Sequence, residues 1–317
     1  NGDLQWSRTI GDTLNSSEFG SSIEQTNDGG YIISGGISPE HLNYTSPYLV
    51  KTNNLGIVQW EKTYGNYGQA NSVQQTTDAG YIIGVNNLQD SLTWISHSGL
   101  IKVDSLGNQQ WIEIGPENID YSNVHAEQTN DGGYISSSTI IDTLSSNNYT
   151  NIHIIKSDQF GNQQWHKTFT DTLWNTVGEI HQTSDGGYII CGSTRSGWGY
   201  FSTTTQVYII KTDQFGNQQW EREFGDTSLV DWGFRVQQTL DGGYIIAGIT
   251  EIQHEAIYAL YLIKIDDDGN ITSSSNIAAN SMEERSLLKV IDMLGREANI
   301  KTNKPLFYIY DDGTVEK

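Results

Sequence analysis

Cysteine is almost missing from this chain. The one residue, Cys191, excludes an internal disulfide and a cysteine metal cluster. Set in a YIIC run, it reads as a buried strand thiol rather than a nucleophile. Basic residues are also scarce: 17 Lys plus Arg stand against 38 Asp plus Glu, a formal charge of −21. A surface of that sign repels phosphate backbones and anionic lipid, so nucleic acid is not an expected partner. No apolar run approaches the ~20 residues of a membrane span. Helical periodicity is nearly absent before residue 280. The four prolines, 39, 47, 116 and 305, are expected outside the strands, where they remove no ladder hydrogen bond. The seven histidines show no H-x-x-x-H spacing, and no glycine loop or G-x-S-x-G elbow occurs, so no metal and no cofactor are expected.

What the chain has is repetition. QTNDGGYIISGG begins at Gln25, QTTDAGYIIGV at Gln75, QTNDGGYISSS at Gln128, QTSDGGYIICGS at Gln182 and QTLDGGYIIAGIT at Gln238. A second run follows each: VKTNNLGIVQW, IKVDSLGNQQW, IKSDQFGNQQW and IKTDQFGNQQW, ending at Trp60, Trp111, Trp165 and Trp220. The fifth, IKIDDDGNITS, has Ser273 in place of the tryptophan, while the N-terminal NGDLQW offers Trp6 at the same distance from a glycine. Short β-branched and aromatic runs alternate with turn residues, four strands to a unit of about fifty residues, which is the pattern of a β-propeller blade. The expected fold is all-β: a five-bladed β-propeller over residues 1–275, its ring closed by an N-terminal strand at residues 1–11. A linker (276–286) and a short C-terminal β-hairpin element (287–317) follow.

The Lys-x-Asp-x-x-Gly-Asn-x-x-Trp run resembles the tryptophan-docking repeat of quinoprotein-like propellers, and D-G-G-Y-I-I resembles repeats of secreted bacterial propeller proteins. The quinone-binding residues of the former have no counterpart, so the resemblance implies fold and no cofactor. The tail, LLKVIDMLGREANIKTNKPLFYIYDDGTVEK, resembles the C-terminal sorting signal of the type IX secretion system of Bacteroidota. The residues that carry this resemblance include Leu294, Gly295, Arg296, Glu297, Phe307, Tyr308, Tyr310, Asp312 and Gly313. It implies export across the outer membrane, a secreted or cell-surface location, and the translocon with its shuttle proteins as partners. Asp-Ser/Thr-apolar triplets place O-glycosylation candidates at Thr13, Ser91, Thr143 and Thr172, again by resemblance to that bacterial group.

Antiparallel strands put the short turns at one end of each blade and the divergent connections at the other. Those connections hold Tyr44, Trp94, Tyr149, Trp198 and Tyr200, with Trp174 and Trp232 beside them. Exposed rings among Asn, Asp and Ser suit the flat faces and hydroxyl edges of sugars; packed between blades, the same rings are structural. The expected function is therefore a non-catalytic exported propeller that binds a glycan, such as a polysaccharide or surface glycan, or a surface partner through its variable loop face. The alternatives are a polysaccharide-cleaving enzyme, glycosidase or lyase, and a structural surface component. For the enzyme the candidate acids are Glu24, Glu127 and Glu179 on first strands; Gln74, His181 and Gln237 occupy the position of Glu24 and Glu127 in the other repeats. That column fits either a catalytic pair or the polar lining of a channel.

Overall fold

The computed structural model describes residues 4–11, 16–40, 44–65, 67–89, 96–117, 124–142, 149–170, 173–195, 204–252, 257–271, 287–292, 306–310 and 315–316. They fall into two units, Asn1–Thr272 and Ser273–Lys317. In the larger unit the first sheet is β1 (Ser16–Gln25), β2 (Tyr31–Pro39), β3 (Ser46–Thr52) and β4 (Val58–Thr63). The second is β5 (Gln69–Gln75), β6 (Tyr81–Gln89), β7 (Ser96–Val103) and β8 (Gln109–Glu117). The third is β9 (His125–Gln128), β10 (Tyr134–Ile141), β11 (Thr150–Ser157) and β12 (Gln163–Phe169). The fourth is β13 (Trp174–Gln182), β14 (Tyr188–Arg195), β15 (Thr205–Thr212) and β16 (Gln218–Phe224). The fifth is β17 (Asp231–Gln238), β18 (Tyr244–Ile252) and β19 (Ile257–Ile265). Every sheet is antiparallel in chain order, and first strands pack against first strands of the next sheet. The fold is all-β and propeller-like.

Each residue of the repeated motif has a task. In the first hairpin Thr26 donates to the Asp28 carboxylate at 2.5 Å, and the same carboxylate accepts Gly30 N–H at 3.0 Å. Gly29 takes φ 79°, a left-handed conformation that costs glycine little. Lys51 extends beneath the turn, buried, and donates to Asp28 at 2.8 Å, to the Thr52 carbonyl at 2.8 Å and to Gln59 at 3.0 Å. All the donors of its ammonium group are thus used, which is what lets a lysine be buried. The pattern recurs at Lys102, Lys156 and Lys211. The motif glutamine ties sheets together: Gln75, Gln128, Gln182 and Gln238 each accept a backbone N–H of the preceding sheet's turn at 2.8 Å.

The tryptophans work across the same junctions. Trp60 meets Tyr81 edge-on at 5.9 Å, Trp111 meets Tyr134 at 5.3 Å, Trp165 meets Tyr188 at 5.8 Å and Trp220 meets Tyr244 at 6.0 Å. Each indole also covers the turn glycine of the next sheet; a Cβ on Gly216 would come within 2.6 Å of the Trp165 ring. Trp6 does the same to Tyr31, at 5.8 Å, and to Gly56. It therefore sits where the fourth strand of a preceding sheet would place its tryptophan.

Two expectations need correction. Residues 4–10 carry no strand, and the fifth sheet has three strands among the described residues. Docking of one indole fixes the segment without requiring a ladder along it. The outer face of β19 accordingly exposes Leu260 and Leu262, whereas all of β11, covered by β12, is buried. Prolines do enter strands: Pro39 ends β2, Pro47 is second in β3, and Pro116 lies in β8 beside a register shift. Strand ends and bulges are the places where a missing N–H spares the ladder. Pro305 lies outside the described residues.

The smaller unit is a three-stranded antiparallel sheet of β20 (Leu287–Asp292), β21 (Leu306–Tyr310) and β22 (Val315–Glu316), one short strand more than the expected hairpin. No helix among the described residues is long and apolar enough to cross a membrane.

Candidate functional site

Ladder register aligns two columns of first-strand side chains. Glu24, Gln74, Glu127, His181 and Gln237 pair with Ile32, Ile82, Ile135, Ile189 and Ile245. Two residues earlier stand Ser22, Ser72, His125, Glu179 and Arg235, paired with Ser34, Gly84, Ser137, Cys191 and Ala247. In β1, β5, β13 and β17 a register shift comes just before the second column. Such bulges bend a strand and re-aim its side chains.

Both columns begin as inter-sheet staples. Glu24 accepts Gln75 N–H at 2.5 Å, Gln74 accepts Gln128 N–H at 2.6 Å, and Glu127 Oε1 accepts Gln182 N–H. Ser72 Oγ accepts Ala126 N–H at 3.0 Å, and Glu179 Oε2 accepts Val236 N–H, also at 3.0 Å. A neutral Ser and Gln suffice for this work in the second sheet. In the third and fourth sheets both columns are ionisable at once, and the extra atoms meet one another. The second oxygen of Glu127 lies 2.7 Å from His181 Nδ1. His181 Nε2 lies 3.3 Å from Glu179 Oε2, and His125 Nε2 lies 3.5 Å from Glu179 Oε1. Arg235 Nε approaches the same carboxylate at 3.6 Å. Glu127 and Glu179 are buried, while His181 and Arg235 face a cleft of 510 Å³ that Gln237 and Ile245 also line.

Environment pushes these groups apart. Burial lowers His181, but its hydrogen bonds to Glu127 and Glu179 outweigh that and raise it to about 9. Burial takes His125 down to about 4 against the pull of the Glu179 charge. Burial would raise Glu179; the His181 hydrogen bond and the two imidazole charges overcome it and hold the carboxyl below its ordinary value. At neutral pH the cluster therefore holds a protonated imidazole, a neutral one and an ionised carboxylate within hydrogen-bond reach, the divergence that marks acid–base pairs. Burial, helped by the Glu179 charge, pushes the Cys191 thiol up, which keeps it an inert core residue.

The aromatic candidates do not converge on this cluster. Tyr44 packs on Tyr67 at 5.1 Å. Tyr149 packs on Trp174 at 6.0 Å, and the Arg195 guanidinium lies 5.4 Å over the Trp174 ring. These ring contacts join successive sheets. Trp232 is 44% exposed and touches Phe234 at 6.1 Å. Trp94, Trp198, Tyr200, Thr13, Ser91, Thr143 and Thr172 lie outside the described residues, as do Leu294, Gly295, Arg296, Glu297, Asp312 and Gly313. Phe307, Tyr308 and Tyr310 are in β21. Sequence reasoning missed His125 and Arg235. The signal for them was the column Ser22, Ser72, His125, Glu179, Arg235, in which chemistry changes from repeat to repeat while spacing does not.

No known protein family and no curated protein matches this chain in sequence. Solved structures do resemble it. A protein of unknown function from Dyadobacter fermentans superposes with a TM-score of 0.53 at 11% identity, over 81% of this chain and 83% of that one. A levansucrase from B. megaterium gives 0.45 at 11% identity, covering 81% and 85%. A family-43 β-xylosidase/α-arabinofuranosidase from a compost metagenome gives 0.40 at 12%, covering 82% and 93%. At such identities the likeness is one of fold. The expected non-catalytic role on the loop face is nevertheless corrected: an ionisable cluster of Glu127, Glu179 and His181 stands on first strands beside an open cleft.

Proposed function

We propose that this chain is a polysaccharide-cleaving enzyme, with its catalytic centre at Glu127, Glu179 and His181 and an anionic-sugar contact at Arg235. The observation that carries the reading is the chain of contacts Glu127–His181–Glu179, formed only where the repeats stop being alike, beside an open cleft. Glu127 fixes the imidazole through Nδ1–H. His181 Nε2–H donates its proton to the leaving glycosidic oxygen. Ionised Glu179 takes a proton from water in a hydrolysis or from the sugar ring in an elimination. In a chain of charge −21, a cationic side chain that is 59% exposed at the cleft favours an acidic sugar over a neutral one. The test is incubation with neutral and uronate-containing polysaccharides, scored by new reducing ends. Cleavage that Glu127→Gln and Glu179→Gln each abolish supports the assignment. Cleavage that survives both, or no cleavage of any substrate, overturns it.

The scaffold in this reading is a five-bladed ring closed by the N-terminal segment. Its support is the docking of Trp6 on Tyr31 and Gly56 together with the uncovered apolar face of β19. Deleting residues 1–11 then lowers the melting temperature sharply; an unchanged value removes closure. Export by the type IX route rests on the sequence of the tail, and residues 276–317 fused to a periplasmic reporter in a host with that system are expected to carry it outside.

A further inference from the structure

The acid–base reading leaves His125 without a task. Its Nδ1 is buried and has no hydrogen-bond partner in the protein. The ring's other nitrogen, Nε2, faces the Glu179 carboxylate at 3.5 Å. One imidazole nitrogen each from His125 and His181 and a carboxylate oxygen of Glu179 lie within 4.8 Å of one another. We propose that His125, Glu179 and His181 form a binding site for a divalent transition ion of the Zn²⁺ class.

Three features support the donor set. Two imidazoles and one carboxylate are the ligands that zinc takes at open sites, with a fourth position left for water or substrate; calcium and magnesium seek six or more oxygens. Ligands bound at about 2 Å stand about 3.4 Å apart around a tetrahedral ion. Glu179 Oε2 stands 3.3 Å from His181 Nε2 and Oε1 stands 3.5 Å from His125 Nε2, so each carboxylate oxygen already has that spacing to one ring. Small side-chain rotations bring the remaining pair together. Behind the ligands, Glu127 accepts from His181 Nδ1, which leaves Nε2 for the ion and fixes the ring's orientation. A carboxylate behind a histidine is the usual outer support of a zinc ligand. The donors come from β9 and β13, in adjacent sheets, so no spacing along the chain announces them.

The inference rests on reading this cluster as the functional centre, but not on glycan cleavage. Ion binding displaces the proton on His181 Nε2, so under the acid–base mechanism Zn²⁺ silences the enzyme and a chelator restores it. The decisive measurement is direct: equilibrium dialysis of the full chain against Zn²⁺, with bound metal counted by elemental analysis. One equivalent is expected. His125→Ala and Glu179→Gln should each weaken binding at least about 100-fold, and Glu127→Gln about 10- to 100-fold. Circular dichroism and melting temperature confirm that the variants are folded. Charged Cα-distant controls such as Asp267→Asn should leave binding unchanged. Absence of saturable binding, binding that survives His125→Ala, or equal competition by Ca²⁺ overturns the site. Activity that is lost in the variants without any metal bound would overturn the metal site and leave the cleavage reading intact.

Discussion

The second and fourth sheets are built on one plan and differ where it matters. Both use a buried lysine under an aspartate turn, and both seat an indole from the preceding sheet. Both also carry two polar residues on the first strand that reach toward a neighbour. In the second sheet these are Ser72 and Gln74; in the fourth they are Glu179 and His181. Ser72 and Glu179 accept the equivalent backbone N–H at the same 3.0 Å. The junction thus needs an acceptor but not a charge. The carboxylate and imidazole of the fourth sheet exceed what architecture asks, and that excess is the argument for chemistry there.

The largest effect should come from breaking what the two sheets share. Trp165→Ala removes a ring packed on Tyr188 and Gly216 and is expected to cost about 3–5 kcal/mol in denaturant unfolding. A loss under about 1 kcal/mol would show that the indoles are not the joints of the fold. Next comes a swap of what differs. Glu179→Ser gives the fourth sheet the residue of the second and keeps an acceptor for Val236. Stability should change by less than about 1 kcal/mol while polysaccharide cleavage falls about 10²–10⁴-fold. Equal losses in both would make Glu179 a structural residue.

Much of the fold was legible in the sequence because the motif residues bond to positions at fixed offsets within a repeat or exactly one repeat away. Asp28 finds Lys51, and Trp60 finds Tyr81, by rules that recur down the chain. The column of Glu127 and His181 was readable for the same reason. His125 and Arg235 were not, since their column shares no chemistry from repeat to repeat, and histidine spacing along a strand says nothing of a neighbour in the next sheet. The partners of the loop aromatics were hidden for a related reason. Polar flanks do not say which ring a side chain will meet, and Tyr149 and Trp174 find each other across a junction.

Acid separates the turn network from the rest of the fold more gently. Burial would raise Asp185, but hydrogen bonds from Thr183, Lys211 and Gly187 outweigh it and hold the carboxyl at about 2. A folded value below the unfolded one of about 3.9 means that this stabilisation is complete above about pH 4 and is lost as pH falls toward 2. Asp185→Asn should therefore flatten the stability profile in that window, and an unaltered profile would show that the bond is idle. The smallest effect belongs to the one turn that departs from its siblings. Ala79 holds φ 64° where the other four hairpins have glycine. Ala79→Gly should stabilise by about 1 kcal/mol, since an L-residue pays to be left-handed. No gain in unfolding midpoint would mean that the second turn has relaxed its strain elsewhere.

Because Trp6, Trp60, Trp111, Trp165 and Trp220 each reach forward to a motif tyrosine, each repeat offers its neighbour the same socket that it fills itself. One early repeat could be exchanged for another and leave every joint matched without rewriting a side chain. Between His125 and Arg235 that freedom ends. A repeat exchanged there would keep the joints and remove an imidazole or a carboxylate, emptying the centre without touching the frame.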